Sequence, residues 1–252
     1  MHPDSGSDYY SRVLAAEETP ESRLEKSRLI AEICREALES AGRAVDLGCG
    51  SGLILRALEE RFSRTIFGVD NDRARVKTSA GIVLADLEAI PFVDASFDFA
   101  LCNHVFEHVA RQEKFLREVR RVLKSGGLAY FTVGNRFQPL EPHYRLPLLS
   151  WLPKAPAALY LRATRRGRGY GHINFPDYWK LNRMAREAGF RVTDVTLRVL
   201  QAGRERIRER WRQAVVRLVL WVPAFFAGWA LKLFSPHWFF FFHAEDSPER
   251  VE

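Results

Sequence analysis

Val45-Asp46-Leu47-Gly48-Cys49-Gly50-Ser51-Gly52 is the stretch around which the chain is organised. Ala44 and Val45 lead in as the end of a buried strand would. Three glycines follow at alternating positions, and Leu53-Ile54-Leu55-Arg56-Ala57-Leu58 opens a helical pattern. Strand, glycine turn and helix form the layout of a nucleotide-binding crevice in an open α/β sheet. Glycine suits such a turn because it has no Cβ to hold a ligand off the backbone and adopts φ > 0 at little cost. The dinucleotide fingerprint G-x-G-x-x-G is not matched, because the third glycine comes one residue early.

The rest of the chain alternates in the same way. Leu24, Leu29, Ile30, Ile33, Ala37 and Leu38 predict a helix from Ser22 to Ser40, ended by Gly42. Strands are expected at 43–47, 65–70, 82–86, 97–103, 128–133 and 190–200, with helices over 52–62, from about Arg111 to Leu123, and from Asp177 to Gly189. Asp70 stands roughly 20 residues past the glycine turn, where a carboxylate can accept hydrogen bonds from both hydroxyls of a ribose. The blander role for Asp70, Asn71 or Asp72 is to cap a helix over Arg73–Ser79. Asp86 ends the third strand, and a plain turn aspartate is its alternative.

Asp46, Gly48, Gly50 and Gly52 match every fixed place of motif I, D/E-x-G-x-G-x-G, of class I S-adenosylmethionine (AdoMet) methyltransferases. The segments F-D-x-A-L-C-N-H-V-F-E-H-V from Phe97 and R-V-L-K-S-G-G from Arg121 are similar to the type 11, small-molecule branch of that family. Ser125 stands where the branch usually has Pro. The resemblance covers roughly residues 40–135. It implies an α/β fold: a Rossmann-like, seven-stranded methyltransferase sheet, mostly parallel with the last strand antiparallel, and helices on both faces. It also implies AdoMet as cofactor, held by Asp46, Gly48, Cys49, Gly50, Gly52, Asp70, Asn71, Asp86, Leu87, Asn103 and His104, with Asp86 facing the adenine amino group and Leu87 flanking the ring.

One domain is expected over 1–252: an N-terminal lid and helix (1–42), an AdoMet-binding core (43–135), a substrate-side insertion (136–176), an apolar helical insertion (204–234) and the last strand (237–243). The net charge of +7 is uneven. From Arg162 to Arg212 there are 14 Lys/Arg against 5 Asp/Glu, so the other residues sum to −2. The basic region adjoins the apolar run Leu218–Leu231, which is too short and too interrupted by Pro223 to read as a spanning helix. Two short interfacial helices fit better, with Trp211, Trp221 and Trp229 at headgroup depth and arginines on anionic lipid. Burial of these helices against the domain or a second subunit is the competing reading, and a tight spanning hairpin the third. The aromatic run His237–His243 reads as a strand buried on both faces. Cys34, Cys49 and Cys102 are too scattered for a disulfide framework or a zinc site, so no metal is expected. The polar N-terminus suggests a cytoplasmic protein, peripheral on the inner membrane face.

Methyl transfer to a hydroxyl needs a base, and imidazole suits that near neutral pH. His104, His108, His143 and His172 are the candidates. The expected activity is AdoMet-dependent methylation of a small-molecule acceptor, lipid or lipid-linked, of quinone or glycolipid type, at a membrane surface. The alternatives are a soluble dimeric O-methyltransferase of small metabolites and a non-catalytic AdoMet-binding scaffold at the membrane. Nucleic acid is not an expected partner: no RNA-binding module is appended, and Asn103-His104-Val105-Phe106 stands where an amino-methylating N/D-P-P-Y/F signature would lie.

Overall fold

The computed structural model describes residues 19–73, 76, 81–171, 173–203, 229–233 and 235–245. Seven strands form the main sheet: β1 (Ala44–Leu47), β2 (Ile66–Asp70), β3 (Ile82–Leu84), β4 (Phe97–Asn103), β5 (Leu123–Gly134), β8 (Phe190–Asp194) and β9 (His237–Ala244). Their order is β3-β2-β1-β4-β5-β9-β8, and β6 (Leu140–Glu141) with β7 (Leu146–Pro147) makes a separate two-stranded ribbon. The pairs β1–β2, β1–β4, β2–β3 and β4–β5 are parallel, whereas β9 is antiparallel to both β5 and β8. The expected seven-stranded sheet, with its last strand inserted antiparallel beside the fifth, is the one observed.

Helices cover both faces because parallel strands must be buried on both sides. On one face lie α1 (Pro20–Ile33), α2 (Arg35–Ser40), α3 (Leu53–Phe62) and α7 (Thr196–Gly203), which pack Ile30, Leu38, Leu55 and Val199 on Phe99, Leu101 and Tyr130. On the other lie α4 (Gln112–Val122) and α6 (Tyr178–Glu187). Phe115, Leu116, Val119 and Val122 recur at helical spacing along α4, which gives it one apolar stripe to bury. Side chains start α1 and α6: Thr19 accepts from the Ser22 amide before α1, and Asp177 from the Lys180 amide before α6. The insertion after β5 has a small core of its own, in which Tyr144, Leu149 and Tyr170 pack on α5 (Lys154–Ala163).

Three expectations need correction. The helix over Ser22–Ser40 is two helices, broken at Cys34 (φ −98°, ψ 12°). The strand over Phe190–Leu200 ends at Asp194, whose Oδ1 accepts from the Thr196 amide at 2.8 Å and starts α7. That turn buries Val195 and Val199 against the sheet, which a continued strand at the sheet edge would not. Gly126-Gly127 sits inside β5 rather than before it. Gly126 takes φ 72°, and the β4–β5 register slips there. Residues 1–18, most of Arg73–Ser79, His172, and 204–228 with 234 lie outside the described residues, and the readings made on them, including Trp211 and Trp221, lie there too. Residues 231–233 are helical, and no described helix is long and apolar enough to cross a membrane.

Aromatic packing seats β9 in the sheet. The Phe242 ring stacks on Phe131 at 4.5 Å and meets Phe190 at 5.6 Å. Where the chain returns to the sheet, Trp238 Nε1 donates to the Leu231 carbonyl, and Asn135 Nδ2 donates to the carbonyls of Leu233 and Ser235. Phe242→Ala should therefore cost about 3–5 kcal/mol of stability. Urea unfolding followed by tryptophan fluorescence measures it.

Candidate active site

The strand order turns back between β1 and β4, so their carboxyl ends open a crevice. Gly48, Gly50 and Gly52 all take left-handed φ, at 83°, 54° and 74°. At Gly48 the missing Cβ makes room for Val105: a Cβ there would stand 2.2 Å from Val105 Cγ2. The loop is held from β2. Gly48 and Cys49 donate to the Val69 carbonyl at 2.7 and 3.1 Å, and Gly50 donates to Asp70 Oδ2 at 2.7 Å. Asp70 Oδ1 accepts from the Asp72 amide at 2.8 Å. Each carboxylate oxygen keeps a lone pair for a further donor, so Asp70 can hold the loop and a diol together.

Asp46 is buried. Its carboxyl is pushed up to about 7 by that burial and by Asp70, with Arg23 of α1 opposing. The Cys49 thiol packs into the core against Gly68, and its amide donates to the Val69 carbonyl. Leu87 is likewise a core residue, whereas Asp86 and Asn71 are exposed. Asp86 Oδ1 accepts from the Glu88 amide at 2.9 Å, which is the turn role named as its alternative. At the end of β4 the buried Asn103 Nδ2 has no hydrogen-bond partner.

His104 follows Asn103 at φ 56°, a conformation costing a non-glycine residue on the order of 1 kcal/mol or more. Its amide donates to the Thr132 carbonyl, its Nδ1 lies 3.5 Å from buried Glu107 Oε1, and its ring stands edge-on to His237 at 4.6 Å. Burial holds His104 well below the usual histidine range, with Lys26, His143 and Arg23 acting in the same direction. The side chain keeps 29% of its surface exposed, so burial is partial and the cations matter. His237 is depressed too, to about 3, by burial first and His104 next. His104 and His108 are spaced H-x-x-x-H, but no continuous helix joins them, since only Phe106–His108 forms a short 3-10 turn. His108 faces His143 instead, ring to ring at 5.2 Å. Among the described residues no cluster of three His, Cys, Asp or Glu side chains is placed to hold a metal.

The insertion brings His143 to this end of β4. Its Nδ1 lies 2.7 Å from Oε1 of Glu141, which is fully buried, and Glu141 Oε2 accepts from the Tyr144 amide at 2.7 Å. Asn174 donates its amide to the Glu107 carbonyl, which ties the far end of the insertion to the same turn. The structure thus gathers Asp46, Asp70, Asn103 and His104 in the crevice and sets His108 and His143 against each other beside it. The motifs did not single out Arg23 and Lys26 of α1, Glu141 or His237. His237 was legible in principle, because an antiparallel β9 must begin where the parallel strands end.

AdoMet presents a ribose diol and an amino-acid end. A carboxylate at the end of β2 and an unpartnered buried amide donor at the end of β4 suit those groups. Residues 45–131 match a family model described as a methyltransferase domain. Those residues are similar to the type 11 branch of class I AdoMet-dependent methyltransferases. Among curated relatives of this chain, the ubiquinone/menaquinone biosynthesis C-methyltransferase UbiE of Acidiphilium cryptum is 29% identical over 71% of this chain and 74% of its own. An uncharacterized Methanocaldococcus jannaschii protein is 34% identical over 41% of each chain. The malonyl-[acyl-carrier protein] O-methyltransferase 1 of Coxiella burnetii is 38% identical over 36% of this chain and 33% of its own. The chain thus spans less than half of the length of those last two. Among solved structures, YcgJ of Bacillus subtilis has a TM-score of 0.53 at 16% identity, covering 87% of this chain and 99% of that one. The [4+2]-cyclase SpnF has 0.54 at 16%, covering 88% and 82%. These last two likenesses establish the fold, which by itself does not choose the reaction.

Two outcomes follow for this site. Asp70→Asn leaves one acceptor oxygen for two backbone amides and a diol. AdoMet affinity measured by calorimetry should fall about 10- to 100-fold, the scale of a lost charge-assisted hydrogen bond. Asp46 has a folded pKa near 7 against 3.8 unfolded, so the folded state binds the extra proton and loses stability as pH rises from 3.8 to 7. Asp46→Asn should therefore gain stability relative to wild type across that window, read as a difference in urea midpoint growing with pH.

Proposed function

We propose that the protein transfers a methyl group from AdoMet to a lipid or lipid-linked acceptor, of quinone or glycolipid type, at an anionic membrane surface on the cytoplasmic side. The crevice carries the first half of this reading: Asp70, the glycine turn and Asn103 are arranged as a cofactor site, with imidazoles on its open side. Asp70 and Asn103 would hold the cofactor's polar ends, and the bound cofactor supplies a methyl carbon already activated by its sulfonium. The protein's part is to hold the acceptor in line and keep water out.

A basic, aromatic flank supports the membrane half. Trp179 and Trp229 are 51% and 54% exposed, and their rings meet at 6.4 Å. Trp179 lines an open groove of about 440 Å³ beside α6 with Tyr178, Asn182, Arg183, Arg186, Glu187 and Lys232. Large exposed tryptophans next to arginines are what an interfacial surface presents to lipid. That the relatives include a quinone-pathway enzyme is consistent with an apolar acceptor.

Flotation with vesicles of 30% anionic phospholipid tests the membrane half. Wild type should float, and Trp179→Ala/Trp229→Ala with Arg183→Glu should stay in the bottom fraction. Equal behaviour of the two proteins would sink it. Tritiated AdoMet with fractionated lipids tests the acceptor half, with label expected in the organic phase.

A further inference from the structure

We propose that Glu141 and His143 form the base of this site, with His143 taking the proton of a hydroxyl acceptor through Nε2 and Glu141 acting as the positioning residue. The inference rests on the methyltransferase reading and narrows its acceptor to an O–H group.

The geometry is specific. Glu141 is fully buried and occupies both carboxylate oxygens, one on His143 Nδ1 and one on the Tyr144 amide, each at 2.7 Å. A carboxylate only accepts, so Nδ1 must carry the hydrogen and Nε2 must be the basic nitrogen. Glu141 sits on the β6–β7 ribbon, whose register pairs it with Leu146, so it is placed by backbone rather than by a mobile tip. His143 is also held. Its ring packs on Phe175 at 5.8 Å and edge-on to His108 at 5.2 Å, and the side chain is 13% exposed. Phe175 in turn packs where Gly134 lacks a Cβ, at the end of β5. The groups that face this pair are His108 after β4, Tyr170 of the insertion, and, at longer range, His104 and His237, which in turn feel Lys26, with Arg23 acting on His104 and Glu107 on His237. Burial beside Glu141 drives the Tyr170 phenol upward, so Tyr170 stays protonated and does not compete as a base. Burial first, then Lys26, His143 and Arg23, hold His104 well below the usual histidine range, and its Nδ1 lies 3.5 Å from Glu107 against the 2.7 Å between His143 and Glu141, which leaves His143 as the better-backed imidazole.

The step balances as follows. The acceptor oxygen forms its bond to the methyl carbon, the electron pair of the sulfonium–methyl bond stays on sulfur, and the hydroxyl proton passes to His143 Nε2. The imidazolium so formed is stabilised by Glu141 and returns its proton to solvent.

The test uses the full chain labelled with ¹⁵N-histidine. Long-range ¹H–¹⁵N spectra, assigned with His143→Asn, should show His143 as the Nδ1–H tautomer. In Glu141→Gln the removal of the adjacent negative charge should lower its pKa by about one unit or more. In parallel, transfer from tritiated AdoMet into a total organic extract of bacterial membranes should fall about 10- to 100-fold in Glu141→Gln and at least as far in His143→Asn. The acid limb of the pH–rate profile should shift down by the same amount as the NMR pKa, while calorimetric AdoMet affinity stays within about twofold. An Nε2–H tautomer in the wild type, an unchanged rate in Glu141→Gln, or a fall in rate without a shift of the limb would overturn the dyad. Loss of AdoMet binding by the wild type would instead overturn the methyltransferase reading itself.

Discussion

The contact between Asp70 and the Gly50 amide is the constraint on which the crevice depends. It joins the end of one strand to the turn after its neighbour, 20 residues apart in sequence, at 2.7 Å. A glycine loop with three left-handed residues has many conformations open to it, and a buried carboxylate that accepts from the loop selects one. The same carboxylate stands beside Asp46. Burial first and the neighbouring Asp70 next disfavour a charge on Asp46, so Asp46 rises to about 7 while Arg23 from α1 supplies part of the missing positive charge. The N-terminal helix is thereby drawn electrostatically to the cofactor end of the sheet.

The opposite wall of the crevice is built from the chain beyond β5. β9 wedges between β5 and β8 and carries His237 to the ring of His104, while the ribbon β6–β7 brings Glu141 and His143 to His108. The two walls have different chemistry. Around β1 and β2 there are carboxylates and backbone amides, suited to a ribose and an amino-acid head. Around β4 and the insertion there are imidazoles backed by buried Glu107 and Glu141, suited to moving a proton.

The sheet and its seven strands were legible in the residues. Apolar runs ending in Asp46, Asp70 and Asn103 announce buried strands that deliver a polar group at their carboxyl ends, and the glycine spacing at 48–52 allows few other readings. Short-range patterns of this kind survive into the fold because strand burial and helix periodicity are local properties. Where reading failed, a local preference was outvoted. Val192 to Leu200 alternates like a strand, but Asp194 caps a helix and Val195 and Val199 find the sheet from it. Cys49 and Leu87 lie inside motif positions yet face the core, because a motif marks a backbone path and not the direction of each side chain.

The sequence alone determined which segments are strands and which are helices, because each follows from periodicity and from residue types close together in the chain, and the resemblance of its motifs to class I methyltransferases implied the antiparallel last strand. Only the tertiary structure decided the acceptor end. Glu141, His143, His108, His104 and His237 come from three separate segments, and their pairing depends on how the ribbon and β9 close over β4. A hydrogen bond of 2.7 Å that chooses an imidazole tautomer is a property of that closure. No spacing in a linear chain carries it.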